Sequence, residues 1–247
     1  MILKKQRLDQ VLFNRNLAES KSKAQAMIMA GQVFVNGIKI NKSGFNIKYD
    51  SLIEIKDLGP KWVSRGAIKL IKGLDKNNIN VSNKVCLDLG SSTGGFTDVL
   101  LQRGAKKVYA VDVGTNQLNE KLKKNNKVVS LEKTNARYLT KETINDLVEL
   151  MVCDVSFISL KKIIAPNLNL LKNKSTIIAL IKPQFESKKN ETKKGVVKDF
   201  KIHERICNDI KEWFETDCNC RVVNIIESPI KGPKGNIEFL ITAKFQK

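Results

Sequence analysis

Residues 88–96 read DLGSSTGGF, the stretch of this chain most suited to holding a ligand. The apolar run KVCLDL ahead of it predicts a strand, and a helix is expected to start at Phe96. Between them lies a turn of small residues, Ser91 to Gly95. Gly90, Gly94 and Gly95 let backbone approach a bound molecule closely, and the following helix N-terminus offers unpaired N–H groups. Asp88 closes the strand just ahead of the turn. The pattern is neither GxGxxG nor a GK[ST] phosphate loop, and alone such a turn merely joins a strand to a helix. The next strand, KVYAVD, ends in Asp112, 22 residues after Gly90. An acid there can accept both ribose hydroxyls of an adenosine-containing cofactor. Loop and acid together make a nucleoside cofactor the better reading.

His203 is the only histidine. A His-ligated metal centre and a Ser-His-Asp triad are therefore set aside, no metal site is expected, and acid/base work falls to Lys, Asp or Glu. Two such residues stand out by their neighbours. Lys182 follows ALI and precedes Pro183, a buried run ending in a charge. Glu238, in GNIEFLIT, sits among apolar residues, where an unpaired carboxylate is costly and a lysine partner would resolve the cost. Lys69, in SRGAIKLIKG, reads by itself as a solvated helix charge. Among five cysteines, Cys86 and Cys153 fall in strand-like runs and read as core. Cys218 and Cys220 form a lone CNC, too short for a zinc site. The chain reads as reducing and cytoplasmic.

The elements that must position these residues follow a clear rhythm. Strands are expected at 84–89, 107–112, 128–132, 150–154, 176–182, 222–227 and 237–245, with amphipathic helices between the earlier ones. This is the alternation of a doubly wound, mostly parallel α/β sheet. The last two strands flank PIKGPKGN, whose turn residues predict an antiparallel hairpin closing the sheet. Strands four and five deliver Asp154 and Lys182 to the crevice at the carboxyl ends of the strands.

The chain is 247 residues long, one to two domains, with ample length for a core. Lys+Arg 44 against Asp+Glu 25 gives +19, which favours a polyanion, nucleic acid first and anionic membrane second. AT-rich coding explains the excess of Lys over Arg but not the shortage of acids. No apolar run approaches a membrane span, and the early charges of MILKKQRLDQ argue against a signal peptide. Residues 1–58 read as two short helices and a hairpin. Leu8, Val11, Leu12 and Leu17 have helical spacing, Ser20 caps the second helix, and Asn36-Gly37 turns a hairpin. GPKW punctuates the boundary. The expected division is a small basic domain at 1–58, a linker at 59–63 and the α/β domain at 64–247.

RLDQVLFNRNLAESKSKAQAMIMAGQVFVNGIKI resembles the small RNA-binding domain of small-ribosomal-subunit protein four. That resemblance implies phosphate contacts from Arg7, Arg15, Lys21 and Lys23. A solvated basic hairpin without an RNA role is the plainer alternative. DLGSSTGGF, AVD and the Asp-terminated fourth strand resemble class I S-adenosylmethionine methyltransferases with a seven-stranded Rossmann-like sheet, the FtsJ-like ribose methyltransferases above all. What this implies is S-adenosylmethionine as cofactor. Asp88 and Gly95 belong to its loop, Gly90, Ser91 and Gly94 cradle its methionine end, and Phe96 packs nearby. Asp112 takes the ribose, Asn135 lies beside the adenine, and Asp154 closes the pocket. Asn135 can equally be a plain turn cap. Lys69, Asp154, Lys182 and Glu238 match in order the FtsJ-like tetrad. Lys182 would contact the target 2′-hydroxyl, as proton acceptor or orienter, with the other three setting its position and proton affinity.

From about residue 6 to 245 the chain is similar to the TlyA family, on the strength of VSRGAIKL, DLGSSTGGFTDVLLQRGA, DVSFISL, IKPQFE and GNIEFL. The similarity implies 2′-O-methylation of cytidine in 23S ribosomal RNA, with 16S RNA a further target in some members. Ribosomal subunits are then the partner, with no membrane and no protein partner expected. Lys194-Gly195, Phe200 and Ala67 depart from the family pattern outside the tetrad. The compact ends resemble members acting on the large subunit alone. Arg65 and the lysines of 183–201 (Lys188, Lys189, Lys193 and Lys194 first) are further RNA candidates. That segment has six Lys and three acids, and is expected to lack order of its own until RNA arrives. A membrane-active haemolysin and a catalytically silent ribosome-assembly factor are the alternative functions.

Overall fold

The structure, a computed structural model, describes residues 5–29, 31–55 and 62–246. Two compact units make up the chain, Met1–Lys61 and Trp62–Lys247. Of the expected linker, 59–61 lie outside the described residues. Trp62 and Val63 belong to the second unit, where the Val63 N–H donates to Asp98 Oδ2 at 3.0 Å.

In the first unit a short strand β1 (Lys5–Arg7) leads into α1 (Leu8–Asn14) and α2 (Lys21–Met29). Strands β2 (Val33–Val35), β3 (Ile38–Lys39), β4 (Asn46–Lys48) and β5 (Ile53–Ile55) follow. Leu8, Val11 and Leu12 pack with Ala24, Ile28 and Val33 into one small core. The Ser20 hydroxyl accepts from the Lys23 N–H at 3.1 Å, the expected cap. Asn36 and Gly37 both take positive φ, and β2 pairs β3 across them. The pairing of β1 with β4 was not legible, since three residues carry too little alternation.

The second unit begins with α3 (Ala67–Lys76) and alternates thereafter: β6 (Val85–Leu89), α4 (Gly95–Gln102), β7 (Lys107–Val111), α5 (Glu120–Lys123), β8 (Val128–Leu131). Next come β9 (Val148–Cys153), α6 (Lys161–Asn167), β10 (Leu171–Ile181) and α7 (Pro183–Glu186). Helix α8 (Phe200–Thr216) and strands β11 (Cys220–Glu227) and β12 (Phe239–Phe245) end it. The seven strands run in the order β11-β12-β10-β9-β6-β7-β8, and β12 pairs antiparallel with both neighbours. The closing hairpin is as expected, with its second strand inserted between β10 and β11. Strand β10 starts at Leu171, five residues before the expected Thr176, and its register against β9 shifts between the two.

One face of the sheet is covered by α3 and α4 through Ala67, Leu70, Leu74, Phe96 and Val99. The other is covered by α6 and α8 through Ile163, Ile164, Ile206, Ile210 and Phe214. Burial on both faces explains the near-continuous apolar strands. The chain reverses direction across the sheet between β6 and β9, and there the Asp154 N–H donates to Leu89 O at 3.0 Å. That switch point is where an open parallel sheet leaves a crevice. Among the described residues no helix is long and apolar enough to cross a membrane, and no cluster of His, Cys, Asp or Glu could hold a metal ion.

Candidate active site

Two cavities meet at the switch point. The larger, about 500 Å³, is lined by Gly90, Ser92, Asp112, Asn135, Asp154 and Phe157 among others. The smaller, 250 Å³, is lined by Lys69, Ser91, Gly95, Phe96, Lys182 and Pro233, and shares Gly90, Ser92, Asp154 and Ser156 with the first. A ligand in the larger chamber thus reaches the smaller one over Gly90 and Asp154.

Gly90 has φ +80, and a Cβ there would come 2.8 Å from Asp154 O. Only glycine fits this backbone without displacing Asp154. Gly94 and Gly95 serve packing. A Cβ on Gly94 would strike Leu122 and Leu118, and one on Gly95 would strike Ser64 Oγ. Gly95 lines the smaller chamber, and Gly94 lies directly before it at the turn, with φ +96. Phe96 is largely buried in the core under α3 while its edge reaches that chamber.

Asp88 differs from expectation. It is fully buried, accepts from Thr97 Oγ1 at 2.6 Å, and lines neither chamber. It braces the loop against α4 from beneath. Burial pushes its carboxyl up to about 7. Its second oxygen has no hydrogen-bond partner. Asp112 is held ready: Oδ2 accepts from the Ser92 N–H and Oδ1 from the Gly114 N–H, both at 2.8 Å. Each oxygen keeps a lone pair for a hydroxyl. Asn135 is both things the sequence allowed. It lines the larger chamber and caps a short 3-10 turn (Ala136–Tyr138) by accepting from the Arg137 N–H at 3.1 Å.

Lys69, Asp154, Lys182 and Glu238 come from four different elements and meet in one chain of charge. Lys69 Nζ lies 2.7 Å from Glu238 Oε2 and 3.4 Å from Asp154 Oδ2. Lys182 Nζ lies 2.6 Å from Asp154 Oδ1 and donates to Ser156 Oγ at 2.9 Å. Two cations against two anions leave the cluster neutral, which is how four such groups stay charged at a largely buried site. Burial drags the Lys69 ammonium down, but Asp154 and Glu238 more than reverse it, and its pKa stands above the ordinary lysine value. Lys69 is thus a fixed cation between two carboxylates, and Lys182 faces the chamber. The plainer reading of Lys69 as a solvated charge is overturned, since its side chain is 9% exposed.

Three neighbours of the site went unread in the sequence. Ser156 stands two residues after Asp154 and so on the same side of an extended chain, a usable signal. Gln184 donates to Glu238 Oε1 at 3.4 Å. Gly232 lies so close that a Cβ would come 2.1 Å from Glu238 Oε1. Nothing local distinguishes the last two, because their partner is far along the chain.

The RNA candidates are divided. Lys21, Lys23, Arg65, Lys188, Lys193 and Lys194 are exposed. Lys189 opens a 3-10 turn (Lys189–Glu191). Arg7 is tied to Asp9 at 2.7 Å, and holds that carboxyl down at about 2 against the opposing pull of burial. Arg15 donates to Ser51 O at 2.8 Å. Both arginines therefore brace the first unit while staying exposed at its surface. Residues 183–201, expected to lack order, are pinned from outside. Glu186 accepts from Ser159 Oγ at 2.7 Å and the Leu160 N–H at 2.6 Å. Glu191 pairs with both oxygens to Arg205 Nη2, at 2.7 and 2.8 Å. The segment buries little of its own, as its composition dictates, and borrows order from α6 and α8.

Residues 62–245 match the FtsJ-like methyltransferase family and residues 6–51 the S4 domain. The 16S/23S rRNA (cytidine-2′-O)-methyltransferase TlyA of Mycobacterium tuberculosis is 39% identical over 97% of this chain and 90% of its own. The chain belongs to the TlyA family of FtsJ-like methyltransferases. Hemolysin A of Brachyspira hyodysenteriae is 47% identical, covering 95% of this chain and 98% of its own. A solved structure from Streptococcus thermophilus, provisionally named a hemolysin, superposes with a TM-score of 0.74 at 38% identity, over 99% of this chain and 90% of that one. Within this family the glycine floor at Gly90 and the poised Asp112 fit a nucleoside cofactor.

Proposed function

We propose that this chain transfers a methyl group from S-adenosylmethionine to the 2′-oxygen of a cytidine in ribosomal RNA, 23S RNA first. It would act in the cytoplasm, on ribosomal subunits. The reading is carried by one observation: the Glu238–Lys69–Asp154–Lys182 chain passes through Asp154, in the wall shared by the two chambers, and ends at Lys182 in the smaller one. The name of the Mycobacterium tuberculosis relative agrees with it. So does an S4 domain ahead of the catalytic unit, since phosphate contacts on such a module set affinity and register.

The larger chamber would take the cofactor, with Asp112 on the ribose hydroxyls and Gly90 under the chain leading to the reacting end. When bound, the cofactor supplies a methyl carbon on a positively charged sulfur. Transfer would form an O–C bond at the expense of the C–S bond, and the hydroxyl proton would pass to solvent or to a neutral Lys182. Lys182 would contact that hydroxyl. Paired as it is with Asp154 and Ser156, it orients the oxygen along one line and offers a cation as negative charge gathers there. Should it lose its own proton, the same contact makes it the acceptor. Asp154 fixes Lys182, Lys69 fixes Asp154, and Glu238 fixes Lys69, so the placement is rigid. Near-attack placement of this kind supplies much of the rate in a reaction with few other demands.

Incubation with labelled S-adenosylmethionine and unmodified ribosomal subunits, followed by mass spectrometry of the RNA, tests the reading. A 2′-O-methylcytidine is expected. Lys182→Ala should lower the rate by about 100-fold or more while cofactor still binds. Cofactor binding with no methyl reaching any ribosomal RNA would refute it.

A further inference from the structure

Two loops, one of them in the wall of the smaller chamber through Pro233, have the same construction. In the first, Lys193 and Val196 exchange backbone hydrogen bonds across Lys194-Gly195, at 2.9 and 3.1 Å. Both central residues are left-handed, Lys194 at φ 53 and Gly195 at φ 77. In the second, the Asn236 N–H donates to Pro233 O at 3.2 Å across Lys234-Gly235, at φ 56 and φ 81. These are twin tight turns with positive φ at both middle positions. The first of those positions ordinarily goes to Asn, Asp or Gly, because a longer side chain is strained there. Here each holds an exposed lysine. Strained backbone persists where its surroundings over-determine it, and it gathers at functional sites.

What over-determines these turns is Asn236, which is 3% exposed. Its Nδ2 donates to Gly195 O and to Pro233 O, each at 3.0 Å, and its Oδ1 accepts from the Val197 N–H at 3.3 Å. One buried amide thus bolts the two turns together, and Lys234 Nζ lies 3.5 Å from Lys194 O. The paired turns also reach the catalytic charges. Pro233 forms part of the wall that holds Lys69, Asp154 and Lys182, and Gly232 lies against the Glu238 carboxylate. The Ser228 N–H donates to Glu238 O at 2.8 Å, so both ends of the second loop are tied to the Glu238 region.

We propose that the twin lysine–glycine turns form a clamp for a backbone phosphate of the RNA strand carrying the target ribose, and that Asn236 is the positioning residue that holds this clamp at the mouth of the catalytic chamber. The proposal rests on the ribosomal RNA reading above and deepens it. Lys194 and Lys234 supply the charge, and the rigid turns fix where it stands relative to Lys182. A phosphate seated between them places the neighbouring ribose over the chamber, which is orientation gained from a part of the substrate that does not react.

The test compares Asn236→Ala, the exposed pair Lys194→Gln/Lys234→Gln, and the triple variant, all in the full chain. The salt dependence of binding to an unmodified ribosomal RNA fragment is read alongside methyl transfer and cofactor titration. The lysine pair should flatten the log–log salt slope by about 0.7 for each phosphate no longer neutralised. Asn236→Ala removes no charge, yet it should flatten the slope by a similar amount and slow transfer about tenfold or more. The triple variant should flatten it no further than the lysine pair does. Cofactor affinity should stay within about twofold in all three, as no cofactor contact is touched. A wild-type slope in the lysine pair overturns the clamp, and it does so even if Asn236→Ala folds poorly. A wild-type slope in a folded Asn236→Ala overturns the positioning role. If the unaltered chain methylates no ribosomal RNA, the function reading falls, and the binding slopes still decide the clamp.

Discussion

Replacing Lys69 by methionine isolates the energetic core of the site. The change keeps most of the side chain's length and removes only the charge. Glu238 Oε2 then loses its cation at 2.7 Å, and Asp154 loses its 3.4 Å neighbour while keeping Lys182. The Glu238 side chain is 0% exposed, so water cannot replace the lysine, and the nearest other donor is Gln184 Nε2 at 3.4 Å. Removing one partner of a buried pair costs about 3–5 kcal/mol. That is a large share of the ~5–15 kcal/mol by which a domain is stable. For a unit of this size, each kcal/mol moves the melting temperature by about 2–4 °C, so a drop of about 6–20 °C is expected. Lys69→Met/Glu238→Leu should recover most of that loss, because two charges replaced together leave no orphan. Both variants should methylate poorly, since Asp154 is no longer held from the Lys69 side. Thermal melts monitored by circular dichroism, with methyl transfer in parallel, provide the readout. In the wild type, Lys69 adds no pH dependence near neutrality. Its pKa is raised on folding, so its contribution is complete below the ordinary lysine value and is lost only as pH rises through the raised one. A single variant melting within about 2 °C of wild type, or a double variant showing the sum of two single losses, would refute the picture of a buried, mutually dependent charge chain.

Three further outcomes follow from the site and its supports. Asp112→Ala should weaken cofactor binding roughly 10- to 150-fold by losing hydrogen bonds to a charged acceptor worth about 1.5–3 kcal/mol, and should leave RNA affinity unchanged; equal losses of both in titrations would make Asp112 structural. Burial holds the Asp88 carboxyl up at about 7, so its contribution favours the fold below the ordinary carboxylate range and is lost as pH rises from about 4 towards 7. Asp88→Asn should therefore gain on wild type in melting temperature at pH 8 compared with pH 5, and a constant difference between the two would argue against a raised carboxyl. The segment 62–247 holds both chambers and all four charges, so it should fold and bind cofactor alone but methylate subunits poorly; full activity on subunits would deny the first unit an RNA role.

Much of this protein is legible in its sequence alone. The doubly wound sheet follows from seven apolar runs at regular spacing, because strands buried on both faces need side chains that tolerate burial everywhere. Gly90 and Asp112 were legible because their roles are local: a turn that excludes a Cβ, and an acid at a strand end. The order Lys69, Asp154, Lys182, Glu238 could be listed from the sequence, though not the pairing among them. Only the folded chain brings charges from a helix, two strand ends and an edge hairpin each within 3.4 Å of the next, and only that closeness turns Lys69 from one of 37 lysines into a fixed cation. The same limit explains the misreadings. Gly94 and Gly95 were legible as turn residues but not as packing residues, because the sequence does not show that Leu122 and Ser64 fold back against them. Residues 183–201 looked unable to order themselves, and taken alone they are, but Arg205, Ser159 and Asn236 supply partners from distant positions. Composition and period act over neighbouring residues, so the sequence by itself determined the elements and their layering. Which charges lose their water, and which then find a partner, is decided by packing between segments as much as 169 residues apart, and so by the tertiary structure alone.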